Sequence, residues 1–541
     1  MRNAATRSSL TWMLPAVSMA SALAVPLGVV LFALVLPAGP VWTHLQSTVL
    51  SSYIGNSLLL MLLTGLFALL FGVTTAWFVG ACRFPGRDVL SWLLMLPLAA
   101  PAYVVAYVYT DLLEVSGPVQ TSLRSWLDVT PDQLPLPAVR TLPGAALLLA
   151  LVLYPYIYLL CRNSFAGRSG VQFDAARVLG ARPLDAFIKV ALPAARPAIA
   201  GGLALVLMET LADFGVVDYF AVPSFSTGIY RTWIGLGEKT AALKLAALML
   251  LFVFALVAFE ETSRRGGVDR ADVSRAVPIR LRGARASGAL VVCLIPVLLG
   301  FVVPAVVLIG YALTDGDPLL GRSFSGYALN SVSVAATAAA LATGIALVLA
   351  YVRRLDGRWL NRSLIRVSTL GYALPGILLA VALLEPLAVA DRWLTSIWSG
   401  GTQSGLLLSG TVFALLYAYV CRFLTVAYQS VEAGLSAVSP DVDAAARTLG
   451  ASPGQVVRRV HLPLLRPSLL AAGLLVFVDV MRELPATLIL RPFNFDTLAT
   501  RVYRLAGDER LSEASTAALC IVAVGVLPVL LLNWLDGRRR R

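Results

Sequence analysis

The sequence predicts an all-α membrane protein with about twelve transmembrane helices, arranged as two parallel six-helix repeats. Three observations carry that expectation. Hydrophobic residues fill 58% of 541 positions against 13% charged, and the mean hydropathy is +0.80; a soluble protein of this size needs far more polar surface. Twelve stretches reach the roughly 20 apolar residues a spanning helix requires. They lie near 14–37, 55–80, 88–110, 142–163, 194–218, 239–261, 287–313, 329–352, 365–390, 404–428, 464–490 and 513–535. Finally, residues 174–215 and 444–485 align without a gap at an offset of 270. The alignment superposes Gly180 on Gly450, Pro193 on Pro463, Arg196 on Arg466 and Pro197 on Pro467.

The first stretch follows a charged start, which is also the pattern of a cleavable signal peptide, with small residues at Ser21–Ala24 as a site. Its apolar run continues to Pro37, and its removal would invert the sidedness of every later loop. It is therefore read as the first span. Several later stretches contain Pro or Gly, which membrane helices tolerate when neighbours re-satisfy the backbone.

The net charge of +13 could signal nucleic-acid binding, but its distribution speaks against that. Arginine gathers in short segments between apolar runs: Arg2 and Arg7, Arg83 and Arg87, Arg162 to Arg196, Arg264 to Arg285, Arg353 to Arg366, Arg447 to Arg466 and Arg538 to Arg541. With twelve spans all of these fall on one side, as the positive-inside rule requires, so both termini are expected in the cytoplasm. Cys82, Cys161, Cys293, Cys421 and Cys520 are scattered, and His44 and His461 are the sole histidines. No pair has metal-ligand spacing, and the cysteines read as packing residues.

Residues 263–286 are polar, basic and Gly-containing and break the chain near its middle. They read as a linker between a first half, 1–262, and a second half, 287–541. An even number of spans in each half makes the repeat parallel.

The most specific feature is a loop at 172–193, repeated at 442–463. Ala175, Ala176, Val178 and Leu179 form a small apolar helical patch that Gly180 can stop in a left-handed conformation. Pro183 suits the first turn of a new helix, along which Leu184, Phe187, Ile188 and Ala191 recur at helical spacing. Pro193 is expected to break that helix and admit the next span. Ala445, Ala446, Leu449, Gly450, Pro453, Val456, Val457 and Pro463 repeat the pattern. The product is a helix–turn–helix with a small apolar knob, a shape that fits a groove on a partner protein.

These loops resemble the signature loop of ABC-importer permeases, an acid followed by Ala-Ala, then Gly, then a hydrophobic residue and Leu-Pro. Here the pattern is Asp174-Ala175-Ala176, Gly180, Val190 and Leu192-Pro193, then Ala444-Ala445-Ala446, Gly450, Val460 and Leu462-Pro463. The acid is Asp in the first loop and is replaced by Ala444 in the second, with Asp443 one position upstream. The resemblance implies a type I ABC-importer permease fold in which each loop docks on one nucleotide-binding subunit, two copies in all. The chain carries no G-x-x-x-x-G-K-[ST] loop, so ATP–Mg and its hydrolysis are expected on that partner, with no cofactor and no catalytic residue on this chain.

The span after each loop holds acids in apolar sequence: Glu209 and Asp213 in the first half, Asp479 and Glu483 in the second, with Arg482 beside them. Four acids in a repeated arrangement could line a translocation path or pair as structural glue. Tyr103, Tyr107, Tyr109, Tyr154, Tyr156, Tyr158, Tyr417 and Tyr419 lie near span ends; they suit an interfacial aromatic belt, and their oxygens also suit a hard cation. Residues 478–505 and 209–233 resemble the fused ferric-iron ABC permeases, and the two-half layout extends the likeness over nearly the whole chain. That resemblance implies a multi-pass protein of the bacterial inner membrane, in contact with lipid, served by a periplasmic binding protein that delivers Fe(III). Thiamine permeases share the fused layout. A twelve-span secondary transporter of the major-facilitator type would also have a central basic linker, but it would make the two matching loops coincidental.

Overall fold

The computed structural model describes residues 2–133, 138–265, 279–318, 322–355, 359–369, 371, 374–398 and 406–539. Most of the expected linker, 266–278, lies outside the described residues. The principal helices are α1 (Arg2–Ala33), α2 (Leu50–Ala81), α3 (Ala102–Leu113), α4 (Leu142–Ala166), α5 (Arg168–Val178), α6 (Arg196–Ala212), α7 (Gly215–Tyr219) and α8 (Lys239–Arg265). They continue as α9 (Ala284–Thr314), α10 (Arg322–Leu355), α11 (Gly376–Trp398), α12 (Val412–Ser436), α13 (Pro440–Thr448), α14 (Leu462–Met481), α15 (Pro485–Leu490), α16 (Leu498–Gly507) and α17 (Leu511–Arg539). Cys82–Arg83 and Ile279–Arg280 form a two-residue parallel β-bridge that anchors the chain where it leaves the linker.

Nine helices among the described residues are long and apolar enough to cross a membrane, and two bent pairs raise the number to eleven. One pair, Arg87–Ala99 with Ala102–Leu127, turns by 89°. Pro101 sits at that turn with extended backbone (ψ 137°), which a helix interior cannot accommodate. The other, Leu184–Ala194 with Arg196–Ala212, turns by 66°. Of the twelve expected stretches, 365–390 is the one without a counterpart among these spans and pairs of the described residues: α11 carries Glu385, Asp391 and Arg392.

The chain forms two compact units that do not follow the halves of the sequence. One comprises residues 1–39, 236–247 and 321–500; the other comprises 40–235, 248–320 and 501–541. The first span of each half therefore packs into the unit built mainly from the other half. Helix α1 lies on α10, α11 and the helix Trp359–Ser368, where the Ser368 hydroxyl donates to Ala20 O at 3.2 Å. Likewise α9 packs on α3 and α17, and the Tyr109 hydroxyl donates to Leu299 O at 2.6 Å. Both spans are apolar on all sides, so neither sequence carries a stripe that would name its neighbour.

Each unit has the same three-helix centre, α2–α4–α6 in one and α10–α12–α14 in the other. Small residues let these helices approach closely, which is how membrane helices gain contact without a hydrophobic driving force. A Cβ on Gly202 would lie 2.7 Å from Ile157 Cα, and one on Gly72 would lie 2.7 Å from Ile157 Cβ. Gly434 plays the same part against Ser468, with 2.2 Å to its Oγ. Gly202→Leu is expected to destabilise the protein by about 1–3 kcal/mol through overpacking, read as a lowered thermal midpoint in detergent. An unchanged midpoint would show that α6 is free to move away from α4. The buried cysteines Cys82, Cys161, Cys293 and Cys421 are free thiols in these packed regions.

Candidate functional site

The two repeated loops fold as helix–turn–helix units of nearly identical backbone. Helix α5 ends at Gly180 with φ +90°, and α13 ends at Gly450 with φ +82°. In the first loop Gly180 N donates to Arg177 O at 3.0 Å and Ala181 N to Ala176 O at 3.1 Å. In the second, Gly450 N donates to Arg447 O and Ala451 N to Ala446 O, both at 3.0 Å. This closure satisfies the last helical carbonyls and needs a left-handed residue. Among the described residues no atom lies within 4 Å of a Cβ built on either glycine, so backbone conformation alone demands glycine there.

The second arm of each loop restarts at a proline. Pro183–Ala186 and Pro453–Val456 each form one helical turn, the latter with a capping box between Ser452 and Gln455. Both then pass through a π-helical turn, Phe187–Ala191 and Val457–His461. Leu192 N donates to Phe187 O, and Leu462 N donates to Val457 O. The wider turn absorbs the missing proline N–H one residue later, so Pro193 and Pro463 do not break the helix as expected from sequence. In the first half the bend comes at Ala195, where ψ falls to −1°. In the second half Pro453–Met481 runs on as one span.

Exposed apolar side chains gather at the turn of the loops, among exposed Arg177, Arg182, Arg447 and Arg458. Val178 is 88% exposed and Leu179 87%, with Ala175, Leu184 and Ile188 beside them also exposed. Leu449 is 88% exposed in the second loop, next to exposed Ala445. At the positions of Val178 and Ile188 the second loop has Thr448 and Arg458, so its knob is smaller and more basic. Ala176 and Ala446 are half-buried, and Leu192, Pro193, Leu462 and Pro463 form the roots of the following spans.

Beneath the knobs the two loops rest on different chemistry. The first stands on an aromatic cluster in which the Trp77 ring lies 5.2 Å from Phe165, 5.0 Å from Phe173 and 4.6 Å from Phe187. The second stands on charges. Arg354 Nε donates to Asp443 Oδ2 at 2.6 Å and its Nη2 to Val438 O at 2.9 Å, while His461 Nε2 lies 2.7 Å from Asp443 Oδ1. The Tyr351 hydroxyl closes the arrangement on Pro453 O at 3.0 Å. At the repeat offset Asp443 stands where the first loop has Phe173, and His461 where it has Ala191. Asp443 therefore faces inward as an anchor and does not substitute for the half-buried Asp174 on the outer helix; Ala444 occupies that place, exposed. The offset alignment held the signal for this difference, an aromatic residue exchanged for an acid.

The four acids of the following spans take different roles. Asp213 Oδ1 accepts from Val216 N at 3.0 Å and Val217 N at 3.3 Å, capping α7. Glu483 caps α15 in the same way, from Ala486 N at 3.1 Å and Thr487 N at 3.2 Å, and is paired with Arg422 Nη1 at 3.0 Å. Asp479 pairs with Arg482 at 2.6 Å. Glu209 is half-buried on α6, one turn before Asp213. Gly376 makes room for the Arg422–Glu483 pair, since a Cβ there would lie 2.2 Å from Arg422 Nη1 and 2.3 Å from Glu483 Oε1.

A duplicated helical membrane protein, with one apolar helix–turn–helix projecting from each repeat and capped breaks in the span behind it, has the architecture of a transport permease. Residues 69–260 and 342–541 both match the family described as binding-protein-dependent transport system inner membrane component, and the chain belongs to that family. It is similar to an Fe(3+)-transport system permease protein of Haemophilus influenzae, 24% identical over 503 residues and covering 90% of each chain. Shorter relatives match part of the chain. A sulfate transport system permease protein of Salmonella typhimurium is 30% identical over 165 residues, 30% of this chain and 57% of its own. A molybdenum transport system permease protein of Escherichia coli is 31% identical over 155 residues, 29% of this chain and 65% of its own.

Proposed function

We propose that this chain is the transmembrane permease subunit of an ATP-driven importer for ferric iron delivered by a periplasmic binding protein. The observation that carries the reading is the pair of loops, each ending in a left-handed glycine and presenting an apolar knob, within a chain similar over nine-tenths of its length to a ferric permease. Each knob seats in a groove of one ABC ATPase subunit, two copies in all, on the cytoplasmic side with both termini. ATP–Mg binds and is hydrolysed on those subunits, and this chain performs no covalent chemistry.

Transport follows alternating access. Closure of the ATPases pulls both loops, the rigid helix–turn–helix passes the displacement through the π-turns to α6 and α14, and the substrate enters from the binding protein. Hydrolysis resets the inward-facing state. A charge-lined path would use Glu209, Asp213, Asp479 and Glu483, which stand at or within a turn of the breaks in these spans. The sulfate and molybdenum relatives support a second reading, in which the same machine carries another small solute; thiamine is the alternative that the fused layout suggests.

Vesicles containing this chain, its ATPase and its binding protein separate the two. ATP-dependent accumulation of labelled iron is the expected result. Accumulation of thiamine, sulfate or molybdate without iron would keep the importer and overturn the substrate. Uptake driven by an ion gradient without ATP would remove the importer reading.

A further inference from the structure

We infer that a cluster of tyrosines around Asp218, contributed by α3, α7 and α16, is a transient binding site for a hard, highly charged cation; this deepens the ferric reading and rests on it. Tyr103 and Tyr107 stand one turn apart on α3, ring centroids 5.8 Å apart, and the Tyr219 ring meets Tyr107 edge-on at 4.4 Å. Next to Tyr219, Asp218 Oδ2 accepts the Tyr503 hydroxyl at 2.7 Å. Asp218 and Tyr219 are consecutive on α7, which joins the Tyr503–Asp218 pair to the Tyr103, Tyr107 and Tyr219 rings.

The Tyr107 hydroxyl points to a missing ligand. Tyr107 is 1% exposed, and its hydroxyl has no hydrogen-bond partner among the described residues. Native proteins seldom leave a buried hydroxyl unpaired, because the lost hydration is not regained. The surrounding atoms define what would satisfy it. Phenol and carboxylate oxygens are hard donors that suit a small, highly charged cation. The Arg140 guanidinium lies 4.6 Å over the Tyr219 ring and donates to its hydroxyl at 3.1 Å, with its charge paired to Glu114 at 2.8 Å. The Asp218 carboxylate disfavours an oxyanion at the same place.

Among the described residues no three His, Cys, Asp or Glu side chains converge on a metal-sized site; the ligands proposed here are phenols with one carboxylate. Each phenol that coordinates releases its proton to water, which offsets part of the cation's charge. A set with one carboxylate holds the ion weakly enough to pass on, as a transport pathway requires.

The test uses the permease with its ATPase subunits, titrated with ferric nitrilotriacetate and read by phenolate-to-iron charge-transfer absorption. Expected is a saturable band that gallium(III) suppresses by competition. Tyr107→Phe and Asp218→Asn should each weaken binding by about tenfold or more. Tyr109→Phe, on the same helix but hydrogen-bonded to Leu299 O, should leave the band as in the wild type. Each variant is first shown to elute as the intact complex, and Tyr107→Phe, which removes one oxygen only, carries the decision. No band in the wild type, or a band that Tyr107→Phe and Asp218→Asn leave intact, overturns the site, as does suppression by molybdate in place of gallium. Iron uptake in vesicles in those cases leaves the ferric reading standing. A band that behaves as expected in a protein that transports no iron overturns the ferric reading alone.

Discussion

Glu483→Ala is expected to cost about 3–5 kcal/mol of stability, because it strands Arg422 as an uncompensated buried charge. The Arg422 side chain is 12% exposed and that of Glu483 2%, and the carboxylate also holds the first amides of α15. Thermal unfolding in detergent measures the loss. Removing both partners, as Arg422→Leu with Glu483→Leu, should recover much of it, since a buried pair is often replaceable by apolar groups of similar volume. Asp213 supplies the control. It caps α7 in the same way but has no ion pair among the described residues, so Asp213→Ala should cost only about 1 kcal/mol. Equal losses at the two positions would mean that the Arg422 contact contributes nothing. Glu209→Gln, which breaks no cap, is the variant that reports on the path itself: lowered uptake at unchanged stability assigns Glu209 to it, and unchanged uptake removes it.

Valine at both Gly180 and Gly450 is expected to abolish ATP-dependent uptake. A β-branched residue at φ +90° or +82° carries a backbone strain of order 1–3 kcal/mol. The loop relieves that strain by turning the helix end, which moves Leu179 or Leu449 off its groove. Because nothing among the described residues lies within 4 Å of either Cβ, the effect arises from conformation and not from collision, and the spans behind should remain folded. Co-purification of the ATPase and uptake into vesicles are the two measurements. Lost ATPase binding with an unchanged thermal midpoint supports the docking role, and full uptake by the double variant would remove it. Of the single variants, Gly180→Val should be the more damaging, since its loop carries Val178, Leu179, Leu184 and Ile188 outward.

The helical class, the two repeats and the loops were legible in the residue order because each depends on local pattern. Runs of apolar residues read as spans wherever they occur, and a glycine between a helix and an Arg-Pro or Ser-Pro restart reads as a left-handed stop. The expected break at Pro193 was misplaced because a π-turn can absorb a missing N–H, and no residue type marks that turn in advance. The stretch 365–390 passed for a plain span because Glu385 falls near its end, while Asp391 and Arg392 lie just past it.

Tertiary structure alone decided four things. It placed α1 and α9 each in the unit built mainly from the other half, since a helix apolar on every side specifies depth but not a neighbour. It turned Asp443 inward onto Arg354 and His461, where a shift of one residue in sequence moves a side chain about 100° around a helix. It gave Asp213 and Glu483 to helix caps, because a break in a span leaves amide groups that only a nearby acceptor can satisfy in an apolar setting. And it gathered Tyr103, Tyr107, Asp218, Tyr219 and Tyr503 from three helices distant in sequence, a convergence that no spacing along the chain records.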